Sequence, residues 1–360
     1  MSDLGADLRG RKVLVTGATG FIGRRLVAAL VAANATVTAL GRIRQGAVAL
    51  GPQVRFLTGS LSDPDSMATA VAGQDVIFNL AYDFRQSAAA NVAAFETLLR
   101  AAEAEGRARL IHTSSIVVYD AWPGGALTEA SLMARPGGSP YRRAKIAIEA
   151  RAMASRLPVA ILQPTIVWGP GSSLWTDGFA EALLAGGVVI PDPEGICQGV
   201  YVEDVVQACL RAATLPDLGH ERFIINGAEP FAWSALIGGY STILGRGTVS
   251  FAPAATLAPA VAHGDAPDDP ALDRPSLAAR ISALGRRAIG HQRFEALVRA
   301  LRRRLSRGKA MRPDAHLFEL MVARGDCPPD LARTRLGYRP GYDLNAGLAA
   351  CRDHLRRLAG

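Results

Sequence analysis

Tyr141 and Lys145, four positions apart in Tyr141-Arg142-Arg143-Ala144-Lys145, are able to work as one chemical unit. Positions i and i+4 share a helix face, so the ammonium group sits beside the phenol. Its charge is expected to lower the phenol pKa from about 10 toward working pH. A phenol tuned in this way gives or takes a proton while hydride moves at a carbinol or carbonyl carbon. Ser115, 26 residues earlier in the run Thr113-Ser114-Ser115, offers a hydroxyl to the substrate oxygen. Each signal is weak by itself, because Tyr-x-x-x-Lys arises by chance and a serine at a strand end is often a cap. Together, and in this order behind a glycine loop, they make Ser115, Tyr141 and Lys145 the expected catalytic residues.

That loop is Thr16-Gly17-Ala18-Thr19-Gly20-Phe21-Ile22-Gly23, with glycines spaced G-x-x-G-x-x-G. Gly17 permits a tight turn, Gly20 lets a pyrophosphate approach the backbone, and Gly23 lets the following helix pack close to the sheet. The helix N-terminus, starting at Phe21 and Ile22, offers free N–H groups to the anion. A dinucleotide is therefore the expected cofactor. At the end of the second strand an acid would bind the adenosine ribose of NAD, but Gly41-Arg42 stands there. Arg42 is suited to a 2′-phosphate, so NADP is favoured over NAD. The competing reading is a solvent-facing arginine with NAD bound without the acid.

Positioning these residues takes alternating strands and helices. Apolar runs at 12–17, 36–40, 54–59, 75–81, 109–115 and 159–168 read as strands, with helices over 21–33, 88–105 and 141–156 between them. Near-continuous apolar strands in such an alternation predict a parallel sheet covered on both faces. The expected fold class is α/β, a Rossmann-type doubly wound parallel sheet with a smaller mixed α/β C-terminal substrate lobe. Residues 1–169 are expected to form the dinucleotide-binding domain, with 200–228 returning to it. Residues 170–199 and 229–360 are expected to form the lobe. Within the lobe, 251–275 reads as a loop and 277–312 as a basic helical segment. Phe294, Leu297, Val298, Leu301 and Leu305 line one face of that segment, and Arg299, Arg302, Arg303 and Arg304 the other.

Composition narrows the classes. The chain has 360 residues, 49% hydrophobic and 20% charged, as expected of a globular enzyme. A net charge of +8 suits a phosphate-rich ligand or simply a solvated basic face. The basic run lacks interleaved aromatics, so nucleic acid is not an expected partner. Cys197, Cys209, Cys327 and Cys351 form neither a Cys-x-x-Cys pair nor a zinc pattern, so no metal is expected. With no apolar run of about 18 residues and no evident signal peptide, a cytoplasmic location without an integral membrane segment is expected.

These pieces resemble the extended short-chain dehydrogenase/reductase family, which includes sugar epimerases, dehydratases and 3β-hydroxysteroid dehydrogenases. The resemblance rests on VTGATGFIG, DVIFNLA, Asn91 in its helix, TSSIVVY, YRRAK, QPTIVWGPG, VYVEDVV and the late Leu336-Gly337-Tyr338-Arg339-Pro340. It implies that Ser60 and Leu61 lie near the adenine and that Leu80, Ala81, Tyr82 and Asn91 lie along the cofactor. It also implies that Pro164 and Thr165 lie near the nicotinamide. It implies an oxidoreductase or epimerase of a sugar or nucleotide sugar, with a homodimer possible. Departures weaken the sugar assignment: Ser60 replaces an acid, Gln163 stands where arginine is common, and Ile196-Cys197-Gln198-Gly199 lacks a diphosphate-binding arginine. Ile116 and Val117 replace the acid pair of sugar dehydratases. The alternatives are a lipid-like alcohol, with Trp168, Trp175, Phe179 and Trp233 as an apolar pocket, and a non-catalytic dinucleotide-binding protein.

Overall fold

The computed structural model describes residues 6–43, 48–122, 124–134, 138–258 and 308–359. Strands β1 (Lys12–Thr16), β2 (Thr36–Gly41), β3 (Arg55–Thr58), β4 (Val76–Asn79), β5 (Arg109–Thr113) and β6 (Val159–Pro164) alternate with helices. Those helices are α1 (Phe21–Ala32), α2 (Pro64–Val71), α3 (Ala88–Glu105) and α4 (Pro140–Met153). Next come β7 (Ile166–Trp168), α5 (Asp177–Ala185), β8 (Gly187–Asp192), β9 (Ile196–Cys197), β10 (Gly199–Tyr201), α6 (Val202–Thr214) and β11 (His220–Ile225).

Seven of these strands form one parallel sheet in the order β11-β6-β5-β4-β1-β2-β3. Both faces are covered, which is why β4 and β6 are buried along their whole length. One core lies beneath α1 and α6, and another beneath α2, α3 and α4. The chain leaves β1 for β2 on one side and later places β4 on the other. This reversal opens a crevice at the carboxyl ends of β1 and β4, where such sheets bind ligands.

A further core packs Trp168, Phe179, Trp233 and Tyr240. It is covered by α7 (Trp233–Leu244) and the C-terminal helix Leu344–Ala359. Beside it β12 (Phe231–Ala232) pairs antiparallel with β9, and β8 is flanked in parallel by β13 (Thr248–Pro253) and β14 (Ala310–Met311). Three expectations need correction. The apolar run 159–168 is two strands: β6 stays in the main sheet while β7 pairs with β10. The expected loop from 251 begins as the end of β13 followed by a short helix, Ala254–Leu257. The expected helical segment 277–312 ends instead in strand β14 at Ala310–Met311, and the face expected over 294–305, with its arginines, lies outside the described residues. Among the described residues no helix is long and apolar enough to cross a membrane. All four cysteines are free and buried.

Candidate functional site

The end of β1 turns through Gly17, which has φ +68°. A Cβ there would lie 2.8 Å from the Leu80 carbonyl carbon, so the turn and the close approach both require glycine. A Cβ on Gly23 would lie 2.1 Å from the Gly17 carbonyl oxygen. Gly20 differs: its φ is −74°, and a Cβ would meet only the Gly17 oxygen, at 3.1 Å. The absent side chain leaves room in the groove rather than relieving strain. Helix α1 also lacks a side-chain cap, whereas α2, α3 and α4 are capped by Asp63, Ser87 and Ser139. Its first N–H groups are left to an anion, so this cradle fits a dinucleotide pyrophosphate.

From here a groove of about 350 Å³ runs past Arg42, Ser60, Leu61, Leu80, Ala81 and Tyr82. Asn91 lines it too, but its carboxamide is engaged elsewhere. The amide donates to the carbonyls of Asp83 (3.0 Å) and Ser87 (2.9 Å), and the oxygen accepts from the Asp83 N–H (2.9 Å). Asn91 thus shapes the loop after β4 instead of presenting its amide to a ligand. The expectation for Arg42 is also altered. Its Nη1 donates to Asp83 Oδ2 at 2.5 Å.

The second cavity, about 600 Å³, shares Gly17, Gly20, Leu80 and Tyr82 with the groove. It contains Phe21, Ile22, Gly23, Ser115, Tyr141, Lys145, Pro164 and Thr165. Ser139 caps α4 and Pro140 occupies its first turn, which puts Tyr141 at the helix start and Lys145 one turn on. Strand β5 stops at Thr113, two residues before the expected end. Ser115 caps the following 3-10 turn, Ile116–Val118, and its hydroxyl also hydrogen-bonds Tyr141. Arg142 ties that turn to α4 by donating to the carbonyls of Val117 (3.1 Å) and Val118 (3.3 Å) and to Asp120 (2.5 Å).

Lys145 Nζ is buried and donates to the Thr113 carbonyl at 2.7 Å. It lies 5.4 Å from the Tyr82 ring and 5.7 Å from the Tyr141 ring. Burial pushes it down to about 8, against the opposing pull of Glu149. The expectation that Lys145 lowers the Tyr141 phenol is not met. Burial pushes the phenol up, and the Ser115 hydrogen bond offsets only part of that. Tyr141 is accordingly a protonated donor in this state. Below it, Thr16, Asn79 and His112 form a buried polar line across β1, β4 and β5. Burial, and then the Lys145 charge, hold His112 well below its usual range, so it is neutral.

Around this centre the cavity wall is mainly apolar, with Tyr82, Phe84, Trp122, Leu174, Trp175 and Leu320, interrupted by Ser139, Ser172 and Ser173. Phe84 is 72% exposed and stacks on Tyr141 with ring centroids 5.3 Å apart. Among the described lining residues none is arginine, aspartate or glutamate, and His316 stands at the wall. Of the four aromatics expected to form an apolar pocket, only Trp175 lines the cavity. Trp168, Phe179 and Trp233 are core residues, buried beside it. Asp83, Phe84 and Trp122 escaped the motif reading because single residues on irregular segments carry no periodic signal. Arg142 and His316, on helices, escaped it because helical spacing does not say which polar side chain turns toward a site.

The arginine substitutions also find their explanation. Gln163 is buried, accepting from the Tyr119 hydroxyl (2.6 Å) and donating to the Glu149 carboxylate (3.0 and 3.1 Å). Arg222 on β11 supplies the charge to Glu149, at 2.8 Å. Gln198 is buried between Asn226 and the Gly325 carbonyl. Neither glutamine lines the cavity.

Residues 13–226 match the profile of the NAD dependent epimerase/dehydratase family. A 3β-hydroxysteroid dehydrogenase/Δ5→4-isomerase of Mycobacterium tuberculosis is 28% identical over 261 residues, 64% of this chain and 68% of that protein. A UDP-glucose 4-epimerase of Mycolicibacterium smegmatis is 30% identical over 242 residues, 60% of this chain and 77% of that one. Among solved structures, an epimerase from Methanothermobacter thermautotrophicus superposes with a TM-score of 0.71 at 16% identity, over 99% of this chain and 95% of that one.

Proposed function

This chain belongs to the NAD dependent epimerase/dehydratase family, and from that premise we propose that it moves hydride at a secondary alcohol or ketone of an apolar, lipid-like molecule. The observation that carries the substrate class is the wall of the second cavity, which beyond Ser115, Tyr141 and Lys145 is mainly aromatic and aliphatic, with serines and His316 among its polar members and no arginine among its described residues. A nucleotide sugar carries a diphosphate, which calls for bidentate cations in a desolvated site. The kinship with a steroid dehydrogenase supports the same reading. Kinship with a UDP-glucose epimerase keeps the nucleotide sugar as the competing reading.

When bound, the nicotinamide dinucleotide supplies or accepts the hydride. Gly17, Gly20, Gly23 and the uncapped start of α1 would hold its pyrophosphate. Ser60 and Leu61 would lie by the adenine, Leu80, Ala81 and Tyr82 along its path, and Pro164 and Thr165 by the nicotinamide. Ser115 binds the substrate oxygen, and Tyr141 donates a proton to that oxygen in reduction or removes it in oxidation. Lys145 holds positive charge beside the phenol as its proton leaves. Arg42 reaches the adenosine end and favours a 2′-phosphate, hence NADP. Residues 1–169 with 200–228 constitute the dinucleotide part. Residues 170–199 and 229–360 supply the substrate lobe, from which Leu174, Trp175, His316 and Leu320 enter the cavity.

The test is a paired panel, with reduced dinucleotide absorbance followed against steroid and long-chain ketones and, separately, epimer formation from UDP- and dTDP-sugars. Turnover of the apolar ketones alone is expected. Turnover of the nucleotide sugars alone rejects the substrate class.

A further inference from the structure

We propose that Asp83 sets the choice between the two nicotinamide dinucleotides by competing with the 2′-phosphate for Arg42. This rests on the role of Arg42 given above and assigns its regulator. Strands β2 and β4 flank β1 in the sheet, and the residues following them, Arg42 and Asp83, meet across the groove. The two partners are unlike in freedom. The Arg42 side chain is 55% exposed and ends a strand, so it turns readily. The Asp83 side chain is 16% exposed, and its backbone is pinned at both N–H and C=O by Asn91. Asp83 Oδ2 takes Arg42, and Oδ1 takes the backbone N–H (3.0 Å) and Nε (3.2 Å) of Arg85. Burial pushes this carboxyl up, but the Arg85 N–H and the two guanidinium groups outweigh it and hold the carboxyl below its usual range.

Two consequences follow at neutral pH. For Arg42 to grip a 2′-phosphate it must leave a fixed carboxylate. The phosphate then faces that carboxylate as a like charge. NAD, with hydroxyls at that position, leaves the ion pair undisturbed. Asp83 therefore selects against NADP without weakening NAD, and Arg42 selects for it. The net preference is the difference between the two.

The test is a double-mutant cycle read by calorimetric binding of NAD and NADP to the full chain, freed of copurifying nucleotide. Asp83→Asn is expected to tighten NADP binding on the order of tenfold and to leave NAD within about twofold, because one negative charge near a phosphate dianion is removed. Asp83→Ala, which cannot hydrogen-bond Arg42, repeats the measurement should the asparagine variant fold poorly. In an Arg42→Ala background the same substitutions should raise the NADP/NAD ratio by a clearly smaller factor, because only the direct like-charge repulsion is then relieved. A ratio unaltered by either Asp83 variant, an equal gain for both nucleotides, or a gain undiminished by Arg42→Ala overturns the proposal. Arg42→Ala alone separates the two readings. If it spares NADP binding, the 2′-phosphate assignment fails. If it weakens NADP while the Asp83 variants do nothing, only the role of Asp83 fails.

Discussion

The groove and the substrate cavity share a border at Gly17, Gly20, Leu80 and Tyr82, yet they are made of different material. The end of the groove at the first turn is backbone: three glycines and an uncapped helix start, all within eight residues. The cavity wall is side chain, gathered from segments around 82–84, 116–122, 174–175 and 316–320. A backbone cradle recognises what every nicotinamide dinucleotide has in common. A wall of side chains from distant segments changes one residue at a time, which is how one dinucleotide fold serves many substrates. Tyr82, Asp83 and Phe84 join the two: Asp83 faces Arg42 in the groove, while Tyr82 and Phe84 pack on Tyr141.

The largest separation between the two regions is expected at Tyr141. Tyr141→Phe should lower turnover by about 10²–10⁴-fold, the usual worth of a general acid/base. Dinucleotide affinity should stay near wild type, because the groove is untouched. A proportional loss in both would merge the regions that the structure separates.

Gly20→Val should produce the opposite signature. Its φ of −74° is ordinary for valine, so the thermal midpoint should change little, while the side chain fills the groove. Dinucleotide affinity is expected to fall at least about tenfold, the loss of roughly 1.4 kcal/mol. Binding measured by fluorescence beside a melting curve checks both halves.

Lys145 lies on the border and reads out through pH. With its pKa at about 8 in the folded chain, the ammonium is lost as pH rises through that value, and dinucleotide affinity should fall there. Unfolded lysine keeps its proton to about 10.4, so between the two values the unfolded chain binds more protons. The destabilisation from burying this charge is therefore full below pH 8 and is relieved as pH rises through the window. Lys145→Met should abolish both trends, and a variant that retains the alkaline loss of affinity assigns it to another group.

Phe84 should give the smallest effect, confined to the cavity. Phe84→Ala is expected to raise KM for an apolar ketone about fivefold, as an aromatic contact contributes about 1 kcal/mol. The affinity for dinucleotide should not move, and steady-state kinetics together with a binding curve will show whether it does.

What was legible in the sequence follows the same division. Gly17, Gly20 and Gly23, and the Tyr141–Lys145 pair, are local patterns forced by a turn or a helix repeat, and the parallel sheet was announced by its apolar strands. The split of 159–168 was hidden because both halves are equally apolar, and only their partners, β5 and β11 for one and β10 for the other, distinguish them. The direction of the Tyr141 shift was hidden too, since spacing places a charge but says nothing of how much water burial removes. Asp83 and Phe84 owe their positions to Asn91, eight and seven residues away, which no pattern reveals. Lone aromatics are equally ambiguous. Trp175 faces the cavity while Trp233, 5.9 Å from it between ring centroids, is core.

The most direct measurement follows the hydride itself. Dinucleotide deuterated at the nicotinamide C4 should deliver its label to the carbinol carbon of a steroid or long-chain ketone with the wild-type protein, and Tyr141→Phe should deliver none on the same timescale. Label transfer that persists in Tyr141→Phe, or a wild-type protein that leaves every apolar ketone unlabelled while epimerising a nucleotide sugar, would contradict the account.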